Sequence, residues 1–367
     1  MSASEQKTRV AILFGGKSAE HEVSLQSAKS IFEAIDRDKY EPVLIGIDKS
    51  GKWRLNDGER FLKAADDPRH ISLQKSRDEI ALTPGNVNQQ FLNTRDAATS
   101  PAVDVVFPIL HGPLGEDGTI QGLLKLAEIP FVGASVLGSA VGMDKDFAKR
   151  LLRDAGIPQG AFRTFGAHEA PISWDKIQSE LGSPVFVKPA NLGSSVGISK
   201  ADSEETFQQA VAEAFSFDRK IVVEEFIDGR EIECSVLGND DPIASLPGEI
   251  IPTHDFYSYD AKYIDGQGAR LEIPANLPKK IVEKIQKLSI HVFKTLNCEG
   301  MARVDFFVTK DEKIYVNEIN TIPGFTKISM YPKLWEASGL PYSELIDRLI
   351  QLAIQRFRQE KRLKTSI

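Results

Sequence analysis

The segment 302–330, ARVDFFVTKDEKIYVNEINTIPGFTKISM, constrains the fold more than any other part of the chain. Two runs rich in Val, Ile, Phe and Tyr flank a polar tetrad at 310–313, which is a turn signal. Because side chains alternate along a strand, the first run places Arg303, Asp305 and Phe307 on one face. The segment is therefore predicted to form an antiparallel hairpin with charged groups on one surface.

A four-residue loop fixes the register of this hairpin. The predicted opposed pairs are Thr309 with Ile314, Asp305 with Glu318, and Arg303 with Asn320. Val316 is expected on the same face as Glu318 and Asn320. Carboxylate and amide oxygens suit Mg²⁺, with Mn²⁺ also possible, and no histidine or cysteine in the segment favours zinc. For Asp305 and Glu318 alone, a solvated hairpin face is the alternative.

A turn with backbone donors follows the acids, at Asn320, Thr321, Pro323 and Gly324, and such a turn can direct N–H groups at an anion. The pattern R-x-D followed by N-E-I-N-T-x-P-G-x-T resembles the ATP-grasp superfamily and, within it, the D-alanine:D-alanine ligase family. The resemblance implies two Mg²⁺ ions on Asp305, Glu318 and Asn320. It implies further roles on this segment: oxyanion stabilisation by Arg303 and the Gly324 N–H, and second-substrate contacts by Ser329 and Met330.

Length and composition limit the class of protein. The chain has 367 residues, which fits two or three domains. A formal net charge of −7 without a basic block argues against a nucleic-acid partner. Cys234 and Cys298 lack metal-site spacing, and no run has the length of a signal peptide or a membrane span. A soluble, cytoplasmic protein is expected.

The first third of the chain alternates strand and helix patterns, which predicts a doubly wound parallel sheet. The strand 9–14 turns at Gly15 and Gly16 into an amphipathic helix. The polar stretch 66–100 is expected to be loosely ordered surface. Two phrases here, GGKSAEHEVSLQSA and HGPLGEDG, are similar to family motifs.

The first of these phrases implies that Glu22, the second glutamate of E-H-E-V-S, binds the ammonium group of the first D-alanine. The second phrase implies that His111 contacts the same substrate. Structural roles are the alternatives, because tight turns favour glycine and a carboxylate in the first turn of a helix interacts with its dipole.

The middle of the chain contains the nucleotide signals. Lys188 lies in the strand PVFVKPA, where a buried ammonium needs an anion. The loop 191–197, NLGSSVG, can wrap phosphate with backbone N–H groups, although it is not a Walker A motif. With MDKDFAKRLLRDAGIP before it and IVVEEFIDGREI after it, the region resembles ATP-grasp enzymes. The resemblance implies nucleotide contacts by Lys145, Lys188, Ser195, Glu224, Phe226, Ile227, Glu231, Lys262, Phe307 and Asn317.

Among these, Glu224 and the backbone through Ile227 are implied to hold adenine, and Glu231 the ribose. A solvated helix lysine is the alternative for Lys145. The polar segment from 254 has no periodicity and is expected to be a mobile surface loop. The resemblance implies that it closes over the site and places Tyr263 near Ser194, in one hydrogen-bonded set with Glu22.

The resemblance as a whole implies an α/β protein with a Rossmann-like substrate domain at 1–142. A two-lobed α+β ATP-grasp module follows, with a central lobe at 143–228 and a C-terminal lobe at 229–367. It implies ATP-dependent ligation of two D-alanines through an acyl phosphate, for peptidoglycan precursor synthesis, by a homodimer without a membrane partner. Two alternatives stay open: another ATP-grasp carboxylate–amine ligase, and a nonenzymatic nucleotide-binding module.

Overall fold

The architecture was analysed in a computed structural model of the chain. The structure describes residues 7–56, 58, 61–65, 67, 69–74, 76, 78–86, 89–98, 102–169, 171–252 and 269–364. Three main sheets follow one another along these residues. The predicted α/β class, with a Rossmann-like part before an α+β module, is confirmed.

The first sheet has the order β3-β2-β1-β8. Its strands are β1 (Thr8–Gly15), β2 (Tyr40–Ile47), β3 (Trp53–Asn56) and β8 (Val105–Ile109). β1 is parallel to β2 and β8, and only the edge strand β3 is antiparallel among them. The near-continuous apolar run of β1 suits this position, because a parallel strand is buried on both faces. Helices α1 (His21–Ala34) and α2 (Thr119–Leu126) follow β1 and β8.

The stretch 66–100 departs from its prediction as loosely ordered surface. Three short strands in this stretch belong to two small antiparallel pairs. They are β4 (Leu62–Lys63) with β5 (Ser72–Leu73), and β6 (Ile80–Leu82) with β7 (Phe91–Asn93). Ile80 and Phe91 are buried in the core on one face of the first sheet, so a few isolated apolar residues are enough to anchor the segment.

The second sheet is antiparallel and has the order β11-β10-β12-β9. Its strands are β9 (Phe162–Gly166), β10 (Val185–Pro189), β11 (Ser199–Ala201) and β12 (Lys220–Glu225). Helices α5 (Trp174–Leu181) and α6 (Glu204–Phe217) pack on one face through a core that contains Trp174 and Phe207. Helices α3 (Val136–Met143) and α4 (Lys145–Asp154) connect the first sheet to this one.

The third sheet has the order β16-β15-β13-β17-β18, with β14 attached to β13. Its strands are β13 (Gly229–Gly238), β14 (Ile243–Ala244), β15 (Gly248–Pro252), β16 (Ala269–Glu272), β17 (Gly300–Thr309) and β18 (Ile314–Asn320). Helix α7 (Lys279–Thr295) covers the apolar face of β13 and β17. The opposite face carries the polar side chains predicted from alternation.

The chain ends with helices α8 (Met330–Ala337) and α9 (Tyr342–Glu360), which share a core with β1 and β8 of the first sheet. Buried Arg356 of α9 donates to the carbonyl oxygens of Gly133, at 2.6 Å, and Phe131, at 2.8 Å. The core that contains this helix also includes Leu237 of β13 and Met301 of β17, so the last helix joins the first and third sheets. In the part of the chain that the structure describes, no helix is both long enough and apolar enough to cross a bilayer.

The hairpin β17–β18 agrees with the predicted register at the site and departs from it near the loop. Arg303 lies opposite Asn320 and Asp305 opposite Glu318, as predicted. A bulge between Asp305 and Phe306 then shifts the register, so that Val308 lies opposite Ile314. The Thr309–Ile314 pairing is therefore wrong.

The predicted position of Val316 is also wrong, because of the same bulge. Because the extra residue, Asn317, lies between Val316 and Glu318, the alternation of side chains is broken. Val316 is buried in the core beside Phe306 instead of sharing the face of Glu318 and Asn320.

Candidate active site

A cavity of ≈ 370 Å³ lies where the three sheets meet. The turn after β1, the end of β8, the loop 191–197 and the polar face of the third sheet all contribute to its wall. Its charged and hydroxyl-bearing lining residues are Glu20, His111, Glu116, Ser194, Glu233, Arg303, Glu318, Thr326, Ser329 and Lys333. The cavity combines several carboxylates with a guanidinium, an arrangement suited to binding ammonium and anionic groups together.

Arg303 organises the floor of this cavity. Its guanidinium donates to both carboxylate oxygens of Asp305, each at 2.7 Å, and its Nε lies 2.9 Å from Glu233 Oε2. Asn320 Nδ2 donates to the same Asp305 at 3.1 Å. A planar fork held by two carboxylates is fixed in direction, which an oxyanion-stabilising donor requires.

The predicted metal ligands Asp305, Glu318 and Asn320 lie on one face of the hairpin. Their donor set is oxygen only, which fits Mg²⁺ or Mn²⁺. The described residues contain no cluster of three His, Cys, Asp or Glu side chains placed to hold a metal ion. A set of two carboxylates and one amide fits only an ion that completes its shell with water and phosphate oxygens, as Mg²⁺ does.

Two predicted phosphate lysines are buried beside this face. Lys145 Nζ, in the first turn of α4, lies 2.5 Å from Leu192 O in the loop and 3.7 Å from Glu318 Oε2. Lys188 Nζ, on β10, lies 2.7 Å from Glu224 Oε2 and 3.4 Å from Asn317 Oδ1. The solvated-lysine alternative for Lys145 is wrong, because its side chain is only 9% exposed.

Glu224 is the anion that compensates Lys188. Burial raises the pKa of Glu224, but Lys149 and Lys188 outweigh burial and lower it to about 2. Burial likewise lowers the pKa of Lys188, yet Glu224 and Glu318 raise it overall. Lys188 and Glu224 are thus both charged at neutral pH.

The structure corrects the assignment of Glu22. Glu22 faces away from the cavity and pairs with Lys49 at 2.7 Å, both side chains being partly exposed. Glu20 is buried, lines the cavity and accepts a hydrogen bond from Ser194 Oγ. Residues 20 and 22 lie at the start of α1, where a two-residue step rotates a side chain to a different side of the helix.

A glycine allows the backbone to lie close to the Glu20 side chain. A Cβ on Gly112, whose φ is +77°, would lie 2.8 Å from Glu20 Oε2 and 2.8 Å from Ser18 Oγ. A Cβ on Gly324 would lie 2.8 Å from Ser329 Oγ. Position 112 therefore favours glycine because its φ lies in the left-handed region, whereas at Gly324 the close atom is the end of a side chain that can move.

Glu116 is a buried carboxyl group beside Glu20. It accepts a hydrogen bond from Gly112 N at 2.8 Å. Burial, together with the charge of Glu20, raises the pKa of Glu116 to about 8. The carboxyl group of Glu116 is therefore mostly protonated at neutral pH.

His111 lines the cavity, but both of its ring nitrogens have partners. Nδ1 lies 3.1 Å from Ile322 O and Nε2 lies 3.4 Å from Ser27 Oγ, which also accepts from Phe325 N at 3.2 Å. Burial lowers the pKa of His111 to about 4, so the ring is neutral. These contacts connect the end of β8 to the turn that contains Gly324.

The remaining predicted residues lie around this centre. Ser329 and Met330 line the cavity at the start of α8, and Ser195 lies in the loop with a φ of +60°. Glu231 lies opposite Phe307 in the third sheet. Phe226 and Ile227 directly follow β12, and Phe226 is 41% exposed. Lys262 and Tyr263 are outside the described residues, as is most of the predicted closing loop.

Sequence reasoning missed Glu20, Glu116, Glu233 and Lys149. Glu233 could have been found, because it alternates with Glu231 along β13 and so shares its face. Glu116 lies in the phrase HGPLGEDG, which drew attention only to its histidine. The choice between Glu20 and Glu22 depends on which side of α1 faces the cavity, and no local sequence pattern predicts that orientation.

The three-sheet fold, with two lysines and two opposed carboxylates beside a glycine–serine loop, defines the ATP-grasp class of ligases. Two family models match the chain: the D-ala D-ala ligase N-terminus over residues 9–134 and the D-ala D-ala ligase C-terminus over residues 151–351. The chain therefore belongs to the D-alanine–D-alanine ligase family.

Individual relatives agree with this assignment. The D-alanine–D-alanine ligase of Oceanobacillus iheyensis is 57% identical over 363 residues, covering 98% of this chain and 99% of that protein. The D-alanine-D-alanine ligase structure from Coxiella burnetii superposes with a TM-score of 0.84 at 41% identity, covering 97% of this chain and 96% of the other. The VanG D-Ala:D-Ser ligase from Enterococcus faecalis gives a TM-score of 0.83 at 37% identity, covering 95% and 100%.

Proposed function

We propose that this chain joins two D-alanine molecules to D-alanyl-D-alanine, coupled to conversion of ATP to ADP and phosphate. The observation that supports it most is the cavity itself, in which Glu20, Ser194, Arg303 and Glu318 converge from different parts of the fold. Family membership over nearly the whole chain agrees with it.

The reaction proceeds in two steps. The carboxylate of the first D-alanine attacks the γ-phosphorus of ATP, and ADP leaves, which gives an acyl phosphate. The amine of the second D-alanine, after losing a proton, attacks the acyl carbon, and inorganic phosphate leaves as the amide forms. Neither step needs a covalent bond to the protein, so its work is positioning and charge neutralisation.

The first substrate is placed between Glu20 and the phosphate loop. The Glu20 carboxylate binds its ammonium group, and Ser194 holds that carboxylate in place. Lys145 and Lys188 neutralise the transferring phosphoryl group from one side. Mg²⁺ held by Asp305, Glu318 and Asn320 supplies further neutralisation of phosphate charge when bound.

The second step requires stabilisation of a tetrahedral oxyanion. Arg303, fixed by Asp305 and Glu233, and the Gly324 N–H are the donors assigned to it. Ser329 and Met330, at the start of α8, line the end of the cavity for the second D-alanine. Ser195, Glu224, Phe226, Ile227, Glu231, Phe307 and Asn317 hold the nucleotide in this proposal.

The domain division 1–142, 143–228 and 229–367 belongs to the same proposal, since each part contains one main sheet. So do peptidoglycan precursor synthesis, a cytoplasmic location and a homodimeric state. Light scattering in solution tests the dimer, with a monomer mass as the contrary result.

A coupled assay of ADP formation tests the function. We expect D-alanine with Mg²⁺ and ATP to give ADP and dipeptide in equal amounts, and L-alanine to give neither. D-serine and D-lactate as second substrates, each mixed with D-alanine, test the choice of nucleophile. Mixed products in excess over D-alanyl-D-alanine would contradict the assigned specificity, and no ADP with any of these substrates would contradict the function.

A further inference from the structure

Lys149 is a buried cation for which the proposed reaction has no use. It lies one turn after Lys145 on α4, and its side chain is 4% exposed. Its Nζ lies 3.2 Å from Glu224 Oε1 and 5.5 Å from the centre of the Phe162 ring. A buried ammonium costs free energy unless an anion compensates it, so Glu224 is its counter-charge.

Glu224 thus has two cations, one beside each oxygen. Lys188 lies beside Oε2 at 2.7 Å and donates a hydrogen bond to it. Oε1 has Lys149 Nζ at 3.2 Å, and no other group in the described part of the chain donates a hydrogen bond to this oxygen. A buried carboxylate oxygen with free acceptor capacity is a place where a ligand N–H can bind.

Lys188 lies on the side of Glu224 where the proposed function places the ATP phosphates, and Lys149 does not. Lys188 Nζ also lies 3.4 Å from Asn317 Oδ1, on the side of the hairpin that carries Glu318. A phosphate that binds Lys188 competes with Glu224 for its ammonium. Lys149 has no such second partner among the described side chains, and Gln159 Nε2 fixes its backbone by donating to its carbonyl oxygen at 2.7 Å.

We propose that Lys149 is a positioning residue for nucleobase selection, which holds the Glu224 carboxylate so that Oε1 faces the 6-amino group of adenine. The inference rests on the proposed function, which places adenine against Glu224. A 6-amino group donates to a carboxylate, whereas the 6-oxo group of hypoxanthine would set two acceptors against each other. Lys149 therefore contributes to preference for ATP over inosine triphosphate without touching either.

The test compares kcat/KM for ATP and for inosine triphosphate, with saturating D-alanine and Mg²⁺, in wild type and Lys149→Met. We expect the wild type to prefer ATP and the variant to lose about tenfold or more of that preference, mainly through a higher KM for ATP. Lys149→Arg, which keeps the charge, should restore most of it. Arg153→Met is the matched control, because Arg153 lies on the same helix and near the same Phe162 ring, at 5.7 Å.

A purely structural role predicts a different result. Lys149→Met would then lower the activity with both nucleotides by the same factor and leave their ratio unchanged, which would overturn the proposal. If this variant does not fold, Lys149→Gln replaces it, because it keeps a polar side chain without the charge and leaves Glu224 paired with Lys188. The proposal expects the same reduced ratio in this variant, and a ratio equal to that of wild type would contradict it. Absence of turnover by wild type with either nucleotide would instead refute the proposed function.

Discussion

Glu20 and Glu22 show how much a single residue position decides in this fold. They are two residues apart, yet one lies buried against the phosphate loop and the other pairs with a lysine at the surface. The proposed role in ammonium binding belongs to Glu20 on these contacts. The two glutamates therefore form a matched pair for mutagenesis.

Glu20→Gln should lower kcat/KM for D-alanine by about 10- to 100-fold, because a charge-assisted hydrogen bond contributes about 1.5–3 kcal/mol. Glu22→Gln should stay within about threefold of wild type, because an exposed ion pair contributes about 0–1 kcal/mol. Steady-state kinetics with varied D-alanine measures both. The reverse order of effects would show that Glu22 is the ligand after all.

Glu116 gives a prediction on pH and stability. Its pKa is about 8 in the folded protein, against an ordinary value of 4.5. A carboxyl group that binds its proton more tightly in the folded state stabilises the fold fully below about pH 4.5, and this contribution is lost as pH rises through about 8. The glutamine side chain of Glu116→Gln is neutral at every pH, so the variant does not lose stability for this reason as pH rises.

As pH rises from 5 to 8.5, we expect the free energy of unfolding of Glu116→Gln to increase relative to that of wild type by about 1 kcal/mol or more. Melting temperatures across this pH range measure the difference, and Glu336→Gln, at an exposed glutamate, controls for the loss of one carboxylate. A difference that does not change with pH would place the pKa of Glu116 outside the range.

At the scale of elements, the hairpin shows both what the sequence predicts and where prediction stops. Alternation and turn chemistry gave the correct partners for Arg303 and Asp305. The bulge beside Asp305 was missed, because an extra residue is stabilised by the packing of Val316 and by the neighbouring strand, which no pattern of period two contains. The amphipathic helix after Gly15 and Gly16 was predicted correctly for the opposite reason, since its periodicity is local.

The face of this hairpin carries the metal prediction. Glu318→Gln should lower kcat by about 10²-fold or more while the Kd for ATP changes by less than about tenfold, since adenine contacts lie elsewhere. Asp311→Asn, at the exposed tip of the same hairpin, is the control. Turnover and nucleotide binding measured at saturating Mg²⁺ separate the two effects, and near-normal turnover of Glu318→Gln would refute the metal assignment.

At the scale of the whole molecule, the site exists only because three sheets meet. Sequence motifs indicated the parts of the cavity, but the contacts between them connect residues far apart in the chain, such as His111 with Ile322 and Glu20 with Ser194. Local patterns do not specify such contacts. The family resemblance predicted residues that the fold brings together around the cavity, except that Glu20 lines the cavity where Glu22 was predicted.

Substitution of Arg356 tests how much the last helix contributes to the packing of the three sheets. Arg356→Met removes donors from two buried carbonyl oxygens, which should destabilise the protein by about 2 kcal/mol or more. Arg358→Met, on an exposed face of the same helix, should have little effect. Thermal unfolding compares them, and equal melting temperatures would show that α9 is held by apolar packing alone.

The central claim is that the first D-alanine is activated through its own carboxylate. The most direct measurement is the fate of ¹⁸O supplied in the D-alanine carboxylate during turnover with unlabelled ATP and water. An acyl phosphate intermediate predicts one ¹⁸O atom in each inorganic phosphate released and one fewer in the new amide carbonyl. Phosphate without ¹⁸O, in the presence of dipeptide formation, would contradict the account.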